Sequence, residues 1–171
     1  MLHYIILLDT SYSMIGKINK ILVAINNFIS SNKSNNNNVY FTISYFNNDI
    51  HFLRKITNVS FIDKPIMAED LIYFGGFTSL YDSVCEILND FSTFHNIQHK
   101  LFIITDGEDN SSKHYNKTYT ENLCDHFIKQ GNWTIIHFHT NDVEGLGNIS
   151  EDVDIEMEDD KLENIFKNLE I

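Results

Sequence analysis

Apolar positions follow two alternating rhythms along this chain. Leu2–Leu8 is a continuous apolar run, the pattern of a strand buried on both faces. From Ile15 to Ile29, residues Ile18, Ile21, Leu22, Ile25, Phe28 and Ile29 recur at helical spacing. The low-complexity patch Ser30–Asn38 (SSNKSNNNN) reads as a loop. Val39–Phe46 alternates apolar and polar residues, and Ile50–Ile56 follows across Asn47-Asn48-Asp49, which predicts a β-hairpin with an Asn/Asp turn. Asn58 to Phe74 is irregular, with one helical turn at Ala68–Leu71. Ser79 to Phe94 predicts a helix whose apolar stripe is Leu80, Val84, Ile87, Leu88 and Phe91. Lys100–Thr105 is another buried-type strand. Tyr119 to Gln130 predicts a helix with Leu123, Phe127 and Ile128 turned inward and Gly131 ending it. Trp133–Phe138 and Val153–Met157 read as strands, and Asp160–Leu169 as a last amphipathic helix capped by Asp159 or Asp160.

Strands alternating with helices imply an α/β fold. The expected architecture is a three-layer α/β/α sandwich around a doubly wound, mostly parallel six-stranded sheet with one antiparallel edge strand. At 171 residues the chain fits one domain, 1–171, with room for a sizeable core. In such sheets ligands bind outside the carboxyl ends of the strands, at the topological switch point. The residues following each buried strand are therefore the ones to inspect.

Charge narrows the partners. Twelve Lys and Arg stand against 24 Asp and Glu, a formal net charge of −12. A general nucleic-acid binder needs a basic footprint, and anionic lipid would repel this chain, so neither nucleic acid nor membrane is expected as a partner. No apolar run approaches a membrane span, and Met1–Leu8 lacks the basic start of a signal peptide, so a cytoplasmic location is expected. Cys85 and Cys124 make no disulfide framework and read as reduced thiols on helices. The Asn-x-Ser/Thr triplets at Asn110 and Asn132 are read as unmodified products of an Asn-rich composition.

Three loops hold the chemistry. The first strand runs into Asp9-Thr10-Ser11-Tyr12-Ser13. Gly75-Gly76-Phe77-Thr78 leads into the helix at Ser79. The strand ending at Thr105 runs into Asp106-Gly107-Glu108-Asp109-Asn110. These loops hold carboxylates, hydroxyls and glycines but no histidine or cysteine. An all-oxygen set suits a hard cation such as Mg²⁺, Mn²⁺ or Ca²⁺.

Asp9-x-Ser11-x-Ser13, Thr78 within Gly-Gly-x-Thr, and Asp106 within Thr-Asp-Gly resemble the metal-ion-dependent adhesion site (MIDAS) of von Willebrand factor type A (vWA) domains, and the order of elements is similar over nearly the whole chain. The resemblance implies that Ser11, Ser13 and Thr78 bind a metal directly through their hydroxyls. It implies that Asp9 and Asp106 hold the metal mainly through water, with Asp9 orienting the serine loop. It implies Mg²⁺, or Mn²⁺ or Ca²⁺, as the ion, and an Asp or Glu of a protein partner as the ligand that completes the shell. It also ties affinity to movement of the last helix, here Asp160–Leu169. The expected function is a metal-dependent protein-binding module and not an enzyme. Two alternatives stand beside it: a structural interaction domain whose metal ties loops together, and a Mg²⁺-dependent phosphohydrolase. The latter is disfavoured because Ser11 and Ser13 have no histidine in register and no Asp-x-Asp pair or phosphate-binding glycine loop occurs.

Other residues have plainer readings. Thr78 can cap the helix that begins at Ser79. Asp109 and Asn110 can support their loop without binding metal. Tyr12 and Phe77 lie between the expected ligands and are expected to be exposed, as anchors or as loop packing. His95 and His99 fall at i, i+4, the spacing of one helix face. His137 and His139 share one strand face but show no third ligand, so both pairs read as structural or surface histidines. His139 and Thr140 are expected near Asp106. The acidic run Glu151–Asp160 reads as a solvated strand edge and helix start.

Overall fold

A computed structural model of the chain describes residues 1–35, 38–139, 145–147 and 149–154. Six strands form one sheet: β1 (Leu2–Asp9), β2 (Val39–Phe46), β3 (Ile50–Asn58), β4 (Gln98–Ile104), β5 (Trp133–His139) and β6 (Glu151–Asp154). Their spatial order is β3-β2-β1-β4-β5-β6. All neighbours run parallel except the β2–β3 hairpin at one edge. Three helices are described: α1 (Ile18–Asn35), α2 (Leu80–Phe91) and α3 (Lys117–Lys129). None of them is long and apolar enough to cross a membrane.

The continuous apolar character of β1 follows from its central place. Tyr4, Ile6 and Leu8 face the cluster built by Ile18, Ile21, Leu22, Ile25 and Phe28 of α1. Ile5 and Leu7 face the opposite cluster, with Leu80, Val84, Ile87 and Leu88 of α2 and Cys124 and Phe127 of α3. Alternation along a strand thus sorts the two layers. Cys85 and Cys124 are free, buried thiols on α2 and α3, and burial pushes the Cys124 thiol up to about 12.

The structure differs from the sequence reading at several element ends and, more tellingly, in the following places. Helix α1 starts at Ile18, after a 3₁₀ turn at Tyr12–Met14, and continues to Asn35, into the patch expected to be a loop. Its polar residues bond back to the helix instead of breaking it. Ser31 Oγ and Asn32 Nδ2 both donate to the Phe28 carbonyl at 2.9 Å, and Lys33 reaches the Ile62 carbonyl. His95 and His99 share no helix face: α2 ends at Phe91, and His99 is a buried residue of β4. Thr78 does not cap α2. The cap position is Ser79, whose hydroxyl donates to the Asn47 carbonyl at 2.6 Å. Finally, β6 begins at Glu151, two residues before the expected start. Residues Thr140 and 155–171, and with them the expected last helix Asp160–Leu169, lie outside the described residues.

Candidate metal centre

Parallel strands β1 and β4 lie side by side, and successive connections leave them in opposite directions. This is the switch point of the sheet, where loops at the carboxyl ends diverge and leave a crevice. Asp9 ends β1 and is fully buried. One carboxylate oxygen accepts the Ser11 amide at 2.7 Å, and the other accepts the Thr105 hydroxyl at 2.6 Å. Asp9 therefore clamps the serine loop to the end of β4. Burial pushes its carboxyl above the usual carboxylate range, hydrogen bonds from Thr105 and Ser11 pull it back, and the nearby Asp106 charge adds to the rise. A cation close by would favour the ionised form.

The remaining oxygens gather beside this clamp. Ser11 Oγ and Ser13 Oγ lie 3.1 Å apart, and Ser13 Oγ donates to Asp106 Oδ1 at 2.6 Å. The second Asp106 oxygen is paired with the Lys17 ammonium. Gly107 locates Thr78: a Cβ built there would lie 3.5 Å from Thr78 Oγ1 and 3.8 Å from Ser13 Oγ, so both hydroxyls border one small space. Ser11 and Thr78 are buried, Asp106 is 9% exposed, and Ser13 is exposed at the mouth.

Residues of the loop that follows β4 hold Thr78 in place. Its amide donates to Asn110 Oδ1 at 2.8 Å, and its carbonyl accepts the amides of Asn110 and Ser111 at 2.9 and 3.1 Å. The free amides at the start of α2 are met from the same loop, Tyr81 by Asp109 and Asp82 by Ser112 Oγ. Asp109 and Asn110 thus support the loop. The Gly75-Gly76 turn has positive φ at both residues (100° and 90°), and the Gly75 amide donates to the Thr10 carbonyl at 2.7 Å. The φ of 100° at Gly75 is one that residues with a Cβ rarely adopt, and a Cβ there would also come within 2.9 Å of the Tyr12 ring. Tyr12 and Phe77 are 70% and 64% exposed beside the crevice.

The structure brings together all five residues singled out in the sequence: Asp9, Ser11, Ser13, Thr78 and Asp106. The donor set also fits a hard divalent ion. Adjacent ligands on an octahedron with bonds near ~2.1 Å lie about 3 Å apart, close to the observed Ser11–Ser13 and Ser13–Asp106 separations. Asp9 has both oxygens engaged and acts as a positioning group. Ser11, Ser13, Thr78 and Asp106 are the residues able to hold the ion. Sequence reasoning missed Lys17, whose only local signal is a basic residue four positions after Ser13. It also gave no role to Thr105, the hydroxyl that links Asp9 to β4.

No family model matches the sequence, and no curated protein matches it either. Its fold is similar to that of a solved von Willebrand factor type A protein from Catenulispora acidiphila, with a TM-score of 0.72 and 14% identity over 98% of this chain and 41% of that one. It is similar to the conserved hypothetical protein BatB from Bacteroides thetaiotaomicron, with a TM-score of 0.70 and 13% identity over 99% and 97% of the two chains. It is also similar to proximal thread matrix protein 1 from the mussel byssus, solved with a zinc-occupied MIDAS motif, at a TM-score of 0.66 and 14% identity over 98% and 45%. The chain thus spans less than half the length of the Catenulispora and mussel chains. At these identities the likeness concerns the fold, which is the vWA fold.

Proposed function

On that fold, we propose that this chain is a metal-dependent protein-binding module whose ion takes an Asp or Glu carboxylate from a protein partner. Mg²⁺ is the proposed ion, with Mn²⁺ or Ca²⁺ as substitutes. Ser11, Ser13, Thr78 and Asp106 would hold it, and Asp9 would fix the serine loop. The observation that carries this reading is the convergence of three hydroxyls and one carboxylate on one space at the switch point. Bound there, the ion would supply Lewis-acid attraction for a carboxylate. Neutral hydroxyls leave much of its charge uncompensated, which favours an anionic ligand from outside. The zinc-occupied MIDAS of the mussel protein supports a metal at this place in the fold.

The loops themselves favour partner binding over a purely loop-stabilising metal. They are already joined by protein hydrogen bonds, Gly75 N–H to Thr10 O, Tyr12 N–H to Gly76 O and the Thr78–Asn110 pair. An ion is not needed as their staple. Tyr12 and Phe77 would add apolar contact on either side of the carboxylate.

The test is a displayed random-peptide library selected on the immobilised protein in Mg²⁺ and eluted with EDTA. Eluted peptides should share an Asp or Glu whose change to Asn or Gln abolishes binding, and the folded Thr78→Ala protein should retain none of them. Peptides that stay bound after chelation, or that bind without an acidic residue, would overturn the proposal.

A further inference from the structure

A second group of metal-ligating side chains lies apart from the serine loop, on the outer strands β5 and β6. His137 and His139 are two residues apart on β5 and so share one face. The parallel register sets Asp152 of β6 opposite His137. Its carboxylate lies between the two rings, with Oδ1 3.2 Å from His137 Nδ1 and Oδ2 3.2 Å from His139 Nε2. The three ligand atoms all fall within 4.8 Å of one another. Asp152, absent from the sequence reading of this pair, is the third group able to ligate.

Hydrogen bonds alone serve His137 poorly. Its Nδ1 lies 3.2 Å from both the Leu146 amide and Asp152 Oδ1, and one lone pair or one N–H there can serve only one of the two. Its Nε2 is buried and has no partner among the described residues. A cation between Nδ1 and Asp152 would be ligated by the nitrogen and the carboxylate together. The neutral imidazole is the form that binds metal.

We infer that His137, His139 and Asp152 form a second metal site, for a zinc-class transition ion, that ties β6 to β5. Two imidazoles and one carboxylate select Zn²⁺ or Co²⁺ over Mg²⁺ or Ca²⁺, which prefer oxygen. Tetrahedral ligands with bonds near ~2.0 Å lie about 3.3 Å apart, and each imidazole nitrogen has a carboxylate oxygen 3.2 Å away, so small side-chain adjustments reach that geometry. Asp152 is 41% exposed, which gives the ion a way in and leaves the fourth position for water. The described part of β6 is four residues long and has only β5 as a neighbour, so a bond from each strand to one ion would pin it.

The experiment is a Co²⁺ titration followed by visible absorption, in a large excess of Mg²⁺ to occupy the oxygen site. The probes are wild type, Asp9→Ala, His139→Ala and Asp152→Ala, the last two at incompletely buried positions and each checked for folding by circular dichroism. Wild type and Asp9→Ala should show one equivalent of intense tetrahedral absorption, displaced by Zn²⁺, and Zn²⁺ should raise the Tm of both. His139→Ala and Asp152→Ala should lose the absorption and the Zn²⁺-dependent rise in Tm. Absence of the signal in wild type overturns the inference. So does its survival in both His139→Ala and Asp152→Ala, which puts the ion on other histidines, or its loss in folded Asp9→Ala, which puts it on the serine loop.

Discussion

Lys17 is the residue that most changes how the oxygen site works. Its ammonium is paired with Asp106, so a divalent ion recruiting that carboxylate must share it with a tethered cation or displace it. The Lys17 side chain is 35% exposed, and an ion pair of this kind contributes up to ~1 kcal/mol. Lys17→Met should therefore tighten Mg²⁺ binding by about two- to fivefold, the equivalent of that energy. Calorimetric Kd values for the two proteins check this; an equal or weaker affinity in Lys17→Met would mean that the ammonium does not compete. The pairing was not legible in the sequence, because Lys17 and Asp106 are 89 positions apart and only the sheet topology brings them together. The five oxygen-bearing residues were legible because each sits within a short motif directly after a strand or before a helix. Their spacing reports local geometry, whereas Lys17 reports a long-range contact.

Between elements, a chain of hydrogen bonds crosses four strands at the other end of the sheet and allows only one proton arrangement. The Phe94 carbonyl can only accept, so His99 Nε2–H donates to it at 3.2 Å and His99 Nδ1 is left as an acceptor. His3 Nδ1–H then donates to that nitrogen at 3.1 Å, and His3 Nε2 accepts the Thr42 hydroxyl at 2.8 Å. Thr42 in turn accepts the Ile56 amide. Both rings are neutral in this arrangement. Burial, then the His99 charge, lowers the His3 pKa from 6.5 to about 3, and burial lowers that of His99 as well. Between about 3 and 6.5 the unfolded chain binds a proton at His3 that the folded chain refuses, so stability falls as pH drops through this range. The slope approaches about 1.4 kcal/mol per pH unit for each such histidine. Urea unfolding between pH 7 and pH 4 should show it, and the slope should be shallower in His3→Gln; an equal slope in the two proteins would contradict the assignment. The sequence pattern found β1 and the body of β4 but began the latter at Lys100, two residues late, and paired His99 with His95 on a helix face, because spacing cannot show that the helix has ended at Phe91. The Asn-rich end of α1 misled for a related reason. Propensity assigns Ser and Asn to loops, yet here their side chains bond back to the Phe28 carbonyl.

Taken as a whole, the molecule places its chemistry where a doubly wound sheet opens. Strands β1 and β4, buried on both faces, hold Asp9 and Asp106 at the carboxyl edge, and α2 begins beside them with Thr78 just before its cap. The Asp9–Thr105 bond makes the crevice part of the core, since it joins the ends of both central strands. The fold class was legible because alternating apolar runs and helical stripes leave few topologies open. The central claim is that this crevice is a divalent-cation site, and the most direct measurement is calorimetric titration of Mg²⁺ and Mn²⁺ into wild type, Asp9→Ala and Thr78→Ala, with folding of each variant checked by thermal unfolding. Saturable binding of one ion by wild type, lost in Asp9→Ala and weakened at least tenfold in Thr78→Ala, about 1.4 kcal/mol, is the predicted result. No binding by wild type, or equal binding by the folded variants, would contradict the claim.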